Sequence, residues 1–349
     1  MSKINEERQA LIRELFPDGI PLLWCPLLTH FSATDTIDFD RMSAHLRHIS
    51  PWVKGLLVPG TTGEGWELSD KESISVTKFA LRMAQEHKTK LLLGALRTDT
   101  DAVKKMISLM LPLIDGTGAG KIPTVADLCA TGVCGFAVCP PKGKSLTQTE
   151  IEAGLSVIMD MGLPVALYQL PYVTENEVAP ETFARLVHKY SNLIFFKDSS
   201  GRDLIAASTV DKGDVFLVRG GEGDYIRWLK LAGGPYDGFL LSVTNSFSPE
   251  LAKFIELLET GDRVAAGEIS ERVTKALFKT ISLVKSLPYG NPFTNANKAI
   301  DHFFAYGPRA LKKEGPILKT GIRLPGDVLS ATGDILTTYH FMPESGYMD

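Results

Sequence analysis

Eight short runs of apolar, β-prone residues recur along this 349-residue chain, with amphipathic helical stretches between them. They fall at 22–31, 54–60, 90–97, 134–140, 164–171, 193–200, 215–221 and 237–244. This alternation is the one expected of βα units around a parallel sheet. Runs such as VALYQLP and LIFFKD are apolar almost throughout, which suits parallel strands buried on both faces. Eight units favour closure into a (β/α)8 TIM barrel, with an open doubly wound sheet as the alternative. A barrel of about 250 residues leaves a substantial extension. The expected organisation is a barrel over 1–248 and a C-terminal helical extension and tail over 249–349. Within the extension, 249–287 reads as two or three helices, and the segment from Gly307 is rich in Gly and Pro. The spacing of the units is regular except for an insertion near 116–130. Two helix starts carry capping-box signatures, Ser69 with Glu72 and Thr147 with Glu150.

Composition narrows the function. Apolar residues make up 44% and charged residues 22%, the usage of a globular chain with a sizeable core. With 37 Lys and Arg against 41 Asp and Glu, the net charge of −4 offers no broad basic field for nucleic acid or anionic lipid. The N-terminal segment MSKINEERQALIREL lacks the apolar stretch of a secretory signal, and no apolar run approaches the roughly 18 residues of a membrane span. Four cysteines without a CxxC pair give neither a disulfide framework nor zinc-ligand spacing. A soluble protein of a reducing cytoplasm is expected.

In a barrel the active site lies at the carboxyl ends of the strands, so polar residues there carry the functional reading. In the sixth run, period-2 alternation puts Leu193, Phe195 and Lys197 on one face. A lysine on an apolar strand is either a desolvated amine, whose lowered pKa suits attack on a carbonyl, or half of an ion pair. The fifth run ends in Tyr168-Gln169-Leu170-Pro171, which places a phenol one strand from Lys197. Such a phenol either moves protons or is a core aromatic with a satisfied hydroxyl. The second run leads into Gly60-Thr61-Thr62-Gly63-Glu64, a turn that either offers its amides and hydroxyls to a carboxylate or merely reverses the chain. After the seventh run comes Gly220-Gly221-Glu222-Gly223; Glu222 would repel phosphate, so the loop either contacts substrate hydroxyls or is an ordinary flexible connection.

Taken together, GTTGE after the second strand, YxxP after the fifth, KDSSG at the sixth and the glycine loop after the seventh resemble the dihydrodipicolinate synthase and N-acetylneuraminate lyase family, across roughly 21–287. The resemblance implies a (β/α)8 barrel with Lys197 as Schiff-base lysine and Tyr168 moving protons. It also implies that Gly60, Thr61 and Thr62 hold the carboxylate of pyruvate or a related 2-keto acid. No metal or organic cofactor is implied, and a homo-oligomer, tetramer or dimer, is.

Two departures shape the substrate expectation. Tyr172-Val173-Thr174 stands where dihydrodipicolinate synthases carry an arginine for a second carboxylate, and Cys139-Pro140-Pro141 stands where much of the family has a relay tyrosine. Thr174, Glu222 and Ser242 match positions that sialic acid lyases and sugar-acid relatives turn toward a polyhydroxy chain. The preferred reading is therefore a class I aldolase-type lyase acting on a hydroxylated 2-keto acid. A keto-deoxy sugar-acid dehydratase and a catalytically weak keto-acid-binding protein are the alternatives. His45 and His48, three apart on the first barrel helix, are read as a solvated helix face and not as metal ligands. Cys134 and Cys139 point to opposite faces of one strand and are read as packing residues.

Overall fold

A computed structural model describes residues 2–34, 36–115 and 121–348. Eight parallel strands close into a barrel in sequence order: β1 Leu23–Pro26, β2 Gly55–Val58, β3 Lys90–Gly94, β4 Val133–Val138, β5 Val165–Gln169, β6 Leu193–Asp198, β7 Phe216–Arg219 and β8 Gly238–Leu240. Closure comes from β1 pairing with β8, Leu23 opposite Phe239 and Trp24 opposite Leu240. Seven of the eight strands lie inside the expected runs, and β4 starts one residue earlier. The open-sheet alternative is excluded.

The helices in chain order are α1 Lys3–Leu15, α2 Phe39–Ile49, α3 Asp70–His87, α4 Thr100–Met110, α5 Val125–Thr131, α6 Gln148–Met159, α7 Pro171–Thr174, α8 Pro180–Lys189, α9 Leu204–Ala207, α10 Ser248–Glu259, α11 Arg263–Val284, α12 Pro292–Tyr306 and α13 Gly326–Thr338. Both expected capping boxes form, at the starts of α3 and α6. A third, Thr124 with Asp127, opens α5 within the expected insertion; residues 116–120 of that insertion lie outside the described residues.

Interior side chains stack in layers, as a closed eight-stranded barrel requires. Trp24 and Phe195 meet edge to face at 5.1 Å, with Phe16 beyond them at 6.3 Å from Trp24. Beside them the N-terminal helix α1 docks through buried Arg8, whose guanidinium donates to Leu193 O at 2.8 Å and Tyr190 O at 2.9 Å, and also to Val187 O and Gly213 O. Lys197 sits two residues further along β6 than Phe195, toward the strands' carboxyl ends.

Two departures from regular alternation matter for the site. The segment after β6 forms only the four-residue α9, and the segment after β7 forms 3-10 turns at Tyr225–Arg227 and Lys230–Ala232. Ser208 turns extended at the end of α9, and Gly233 in the left-handed region ends the second 3-10 turn with Pro235 close behind, so neither stretch propagates into a longer helix. The extension fills in, with α11 packing against the Tyr225–Arg227 turn. Nor is the tail merely punctuated coil. Pro292 opens α12 in the first helical turn, Gly307 caps its end and Pro325 caps α13, so the prolines and the glycine mark helix ends. The last turn of chain is tied down by Tyr347 N to Phe304 O at 3.0 Å. Among the described residues no helix is long and apolar enough to cross a membrane.

Candidate active site at the carboxyl ends of the strands

A cavity of about 530 Å³ opens at the carboxyl ends of the strands. Thr61, Thr62, Tyr168, Lys197, Glu222 and Ser242 line it, so six of the eight residues singled out from the sequence converge. Gly60 stands outside the wall, its carbonyl accepting from Gly65 N at 3.0 Å. Thr174 is fully buried away from the cavity, its hydroxyl 3.2 Å from Leu170 O and 3.0 Å from Asn176 O. The short α7 turn folds that hydroxyl back onto the main chain, so Thr174 does not line the cavity that its sequence position led one to expect it to face.

Lys197 is 5% exposed. Burial dominates its electrostatics and pushes the amine down to about 7; Cys139, Glu222 and Cys25 push the other way and do not compensate. Its Nζ lies 4.0 Å from the centre of the Tyr168 ring, its direct neighbour in the β5–β6 register. The room for this amine depends on Gly220, where an added Cβ would come within 2.8 Å of Lys197 Cε.

The Tyr168 hydroxyl lies 3.1 Å from Thr61 Oγ1. Burial raises its pKa and Cys139 adds to the rise, while hydrogen bonds from Thr61 and Ser199 oppose it; the phenol stays neutral across the working range. Thr61 Oγ1 also accepts from Trp66 Nε1 at 3.0 Å. Trp66 thus ends the chain with a donor that cannot exchange roles. The sequence reading passed over it because an aromatic two residues beyond a turn looks like core. Cys139 packs with Tyr168, Leu96 and Leu170, and neither it nor Cys134 is disulfide-bonded.

Across the cavity, Glu222 accepts from Ser242 Oγ at 2.7 Å, Val243 N at 3.2 Å and Tyr225 OH at 2.9 Å. Burial nevertheless raises its pKa. A carboxylate has roughly four lone-pair sites, so about one remains for a further donor. Ser242 is held by Asn297 Nδ2 at 3.1 Å. Arg219 at the end of β7 reaches the same space, although Asp203 accepts its Nε at 3.0 Å and Gly221 O its Nη1 at 2.5 Å.

Glu64, the last residue of GTTGE, turns away from the cavity and pairs with the buried ammonium of Lys298 on α12. The histidines also fall elsewhere than a solvated face. His45 is fully buried, with Nδ1 2.9 Å from Asp301 Oδ1 and Nε2 3.1 Å from Asn245 Oδ1, and His48 stacks on Tyr347 at 4.6 Å. The reason is that α12 and the tail cover this side of α2. His30, His45 and Asp301 bring three potential ligand atoms within 4.8 Å of one another, but Arg41 and Tyr347 also donate to Asp301. The carboxylate is already neutralised by the protein's own donors.

The profile of the dihydrodipicolinate synthetase family matches residues 100–289, more than half of the chain, spanning Tyr168, Lys197, Glu222 and Ser242. The 4-hydroxy-tetrahydrodipicolinate synthase of Agrobacterium fabrum is 25% identical over 267 residues, 74% of this chain and 81% of that protein. The enzyme of the same description from Pseudomonas aeruginosa is 27% identical over 263 residues, 72% and 81%. Among solved structures, YagE of E. coli K12, a prophage protein of the dihydrodipicolinic acid synthase family in complex with pyruvate, superposes with a TM-score of 0.71 at 18% identity, over 91% of this chain and 98% of that one. CdNal from Clostridium difficile in complex with mannosamine gives 0.69 at 16% identity over the same shares. At these identities the superpositions speak for the fold.

Proposed function

Because this chain belongs to the dihydrodipicolinate synthetase family, we propose that it is a class I, Schiff-base-forming lyase that reversibly cleaves a hydroxylated 2-keto acid to pyruvate and an aldehyde. The observation that carries the reading is Lys197: a buried amine pushed down to about 7, without a carboxylate partner in contact, at the base of a cavity beside a phenol and two threonines.

The chemistry follows from these groups. The Thr61–Thr62 turn holds the substrate carboxylate and fixes the neighbouring C2 carbonyl against Nζ, converting a bimolecular attack into a positioned one. Neutral Lys197 adds to C2; the carbinolamine loses its oxygen as water and leaves an iminium. The C4 hydroxyl then gives up its proton, the C3–C4 bond breaks, and its electron pair moves into the C2–C3 bond as the iminium becomes an enamine. The aldehyde departs, C3 takes a proton, and water hydrolyses the iminium to pyruvate and free lysine. Tyr168, a neutral phenol whose ring lies against Nζ and whose hydroxyl lies 3.1 Å from Thr61 Oγ1, carries protons between these oxygens and C3. Glu222, with its remaining acceptor site, receives a substrate hydroxyl.

Incubation with pyruvate and borohydride followed by peptide mass analysis tests the reading. The expected result is a pyruvate-sized adduct on Lys197 that Lys197→Ala abolishes. No adduct with pyruvate or with larger 2-keto acids would sink the proposal. Product analysis with a 4-hydroxy-2-keto acid separates cleavage from dehydration, and pyruvate plus aldehyde is expected.

A further inference from the structure

Part of the cavity wall is aromatic. Trp52, Tyr172, Phe278 and Phe293 are the exposed aromatic side chains among the described residues, and three of them, Tyr172 at 81%, Phe278 at 41% and Phe293 at 39% exposure, stand at this one cavity. Exposed rings scattered singly are ordinary; three around one opening continuous with a buried lysine are a binding surface.

Their placement is built. Phe278 projects from α11 against the loop after β7, where an added Cβ on Gly223 would meet its ring at 2.7 Å. Phe293 lies in the first turn of α12, fixed by its N–H to Asn291 Oδ1 at 2.8 Å. Several of the polar groups nearby take part in bonds within the protein. Asn291 serves as that cap, and Ser200 Oγ accepts from Arg202 N at 3.1 Å. Arg219 gives Nε and Nη2 to Asp203 and Nη1 to Gly221 O. A second substrate carboxylate would find Arg219 already committed to Asp203 and Gly221 O and would face Glu222, so the charges here disfavour a second anion.

We propose that the aldehyde half of the substrate carries an apolar, ring-sized substituent, seated among Tyr172, Phe278 and Phe293, with the hydroxyl nearest the scissile bond as its main polar group. The substrate class is a 4-hydroxy-2-keto acid with an aryl group or comparable apolar group on C4. Apolar rings would cover the exposed faces of these side chains and gain from edge-to-face or offset stacking. This inference rests on the Schiff-base reading above.

The test is the aldol direction with the full-length chain: pyruvate with benzaldehyde against pyruvate with glyceraldehyde, product formation being measured for the wild type, Phe278→Ala and Phe293→Ala. Borohydride trapping of pyruvate runs on each protein as a control. Benzaldehyde is expected to exceed glyceraldehyde in kcat/KM by about tenfold or more, and each truncation to lower the benzaldehyde value by about tenfold. The truncations should lower glyceraldehyde turnover far less than benzaldehyde turnover and leave the pyruvate adduct in place. A preference for glyceraldehyde, equal losses on both aldehydes, or turnover of neither while the adduct forms would overturn the inference and leave the Schiff-base reading standing. Absence of the pyruvate adduct would overturn both.

Discussion

Two lysines of this protein are buried to nearly the same degree, Lys197 at 5% exposure and Lys298 at 1%, in surroundings that differ sharply. Lys298 lies on α12 with Glu64 against its ammonium, Ile317 O accepting from it at 3.0 Å and the Phe31 ring centre 4.7 Å away. Glu64 in turn accepts from Lys319 N at 2.8 Å, so both halves of the pair are satisfied. Lys197 has an aromatic face beside it, and a nearby carboxylate, Glu222, accepts instead from Ser242, Tyr225 and Val243. Burial lowers the pKa of both amines; what separates them is the counter-charge in contact and the open volume in front. Desolvation makes a nucleophile only where the protein withholds the partner and leaves space for an electrophile.

The largest effect expected from this contrast is at Lys197. Lys197→Ala should remove the borohydride adduct and turnover completely, whereas Lys298→Met should leave a Lys197 adduct in whatever protein folds. An adduct that moved to Lys298 would break the comparison. In stability the order reverses. Lys298→Ala strands Glu64 as a buried charge and should cost about 3–5 kcal/mol in denaturant unfolding, while Lys298→Met with Glu64→Gln should recover much of that loss. Equal destabilisation by the single and paired changes would show that packing, not charge, is what α12 draws from this site.

The third prediction concerns pH. Imine formation needs the neutral amine, so the rate of pyruvate trapping should rise with pH to a plateau, with its midpoint about 7. Below that value the rate should fall about tenfold per unit, by simple titration of one group. The stability consequence has a definite sign. Between about 7 and the ordinary lysine value of 10.5, the unfolded chain binds the proton that folded Lys197 has lost, so stability should rise with pH through this window. The same slope in Lys197→Ala would assign it to other groups. A trapping midpoint near 10 would mean that water reaches the amine and that its burial is not maintained in solution.

Much of this was legible in the sequence for specific reasons. Strands buried on both faces read as apolar runs, and period-2 alternation places Lys197 with Phe195 inside the barrel. The two open readings of a buried lysine, free amine or ion pair, are both realised, by different residues. What escaped depended on contacts far apart in the chain. Nothing near Glu64 predicts Lys298, 234 residues away. His45 reads as a solvated position until α12 brings Asp301 against it. Thr174 lies close to the site in sequence, yet a four-residue helical turn redirects its hydroxyl. Phe278 and Phe293 belong to the extension, where aromatic residues on a helical period read as core.

The smallest expected effect tests the far end of the Tyr168 chain. Trp66 donates to Thr61 Oγ1 at 3.0 Å, and the Thr61 and Tyr168 hydroxyls lie 3.1 Å apart, so the indole fixes which lone pair of Thr61 remains for the phenol. Trp66 is therefore a positioning residue. Trp66→Phe keeps most of the ring and removes the donor; one such hydrogen bond is worth about 0.5–1.5 kcal/mol, which corresponds to a kcat lower by roughly 2- to 13-fold. The pyruvate adduct should form as before. Thr61→Val breaks the same chain at its middle, so the two changes together should cost little more in kcat than Thr61→Val alone. Full additivity would mean that Trp66 acts through packing on Leu96 and Leu170, and that Tyr168 is oriented by Ser199 and the barrel wall instead.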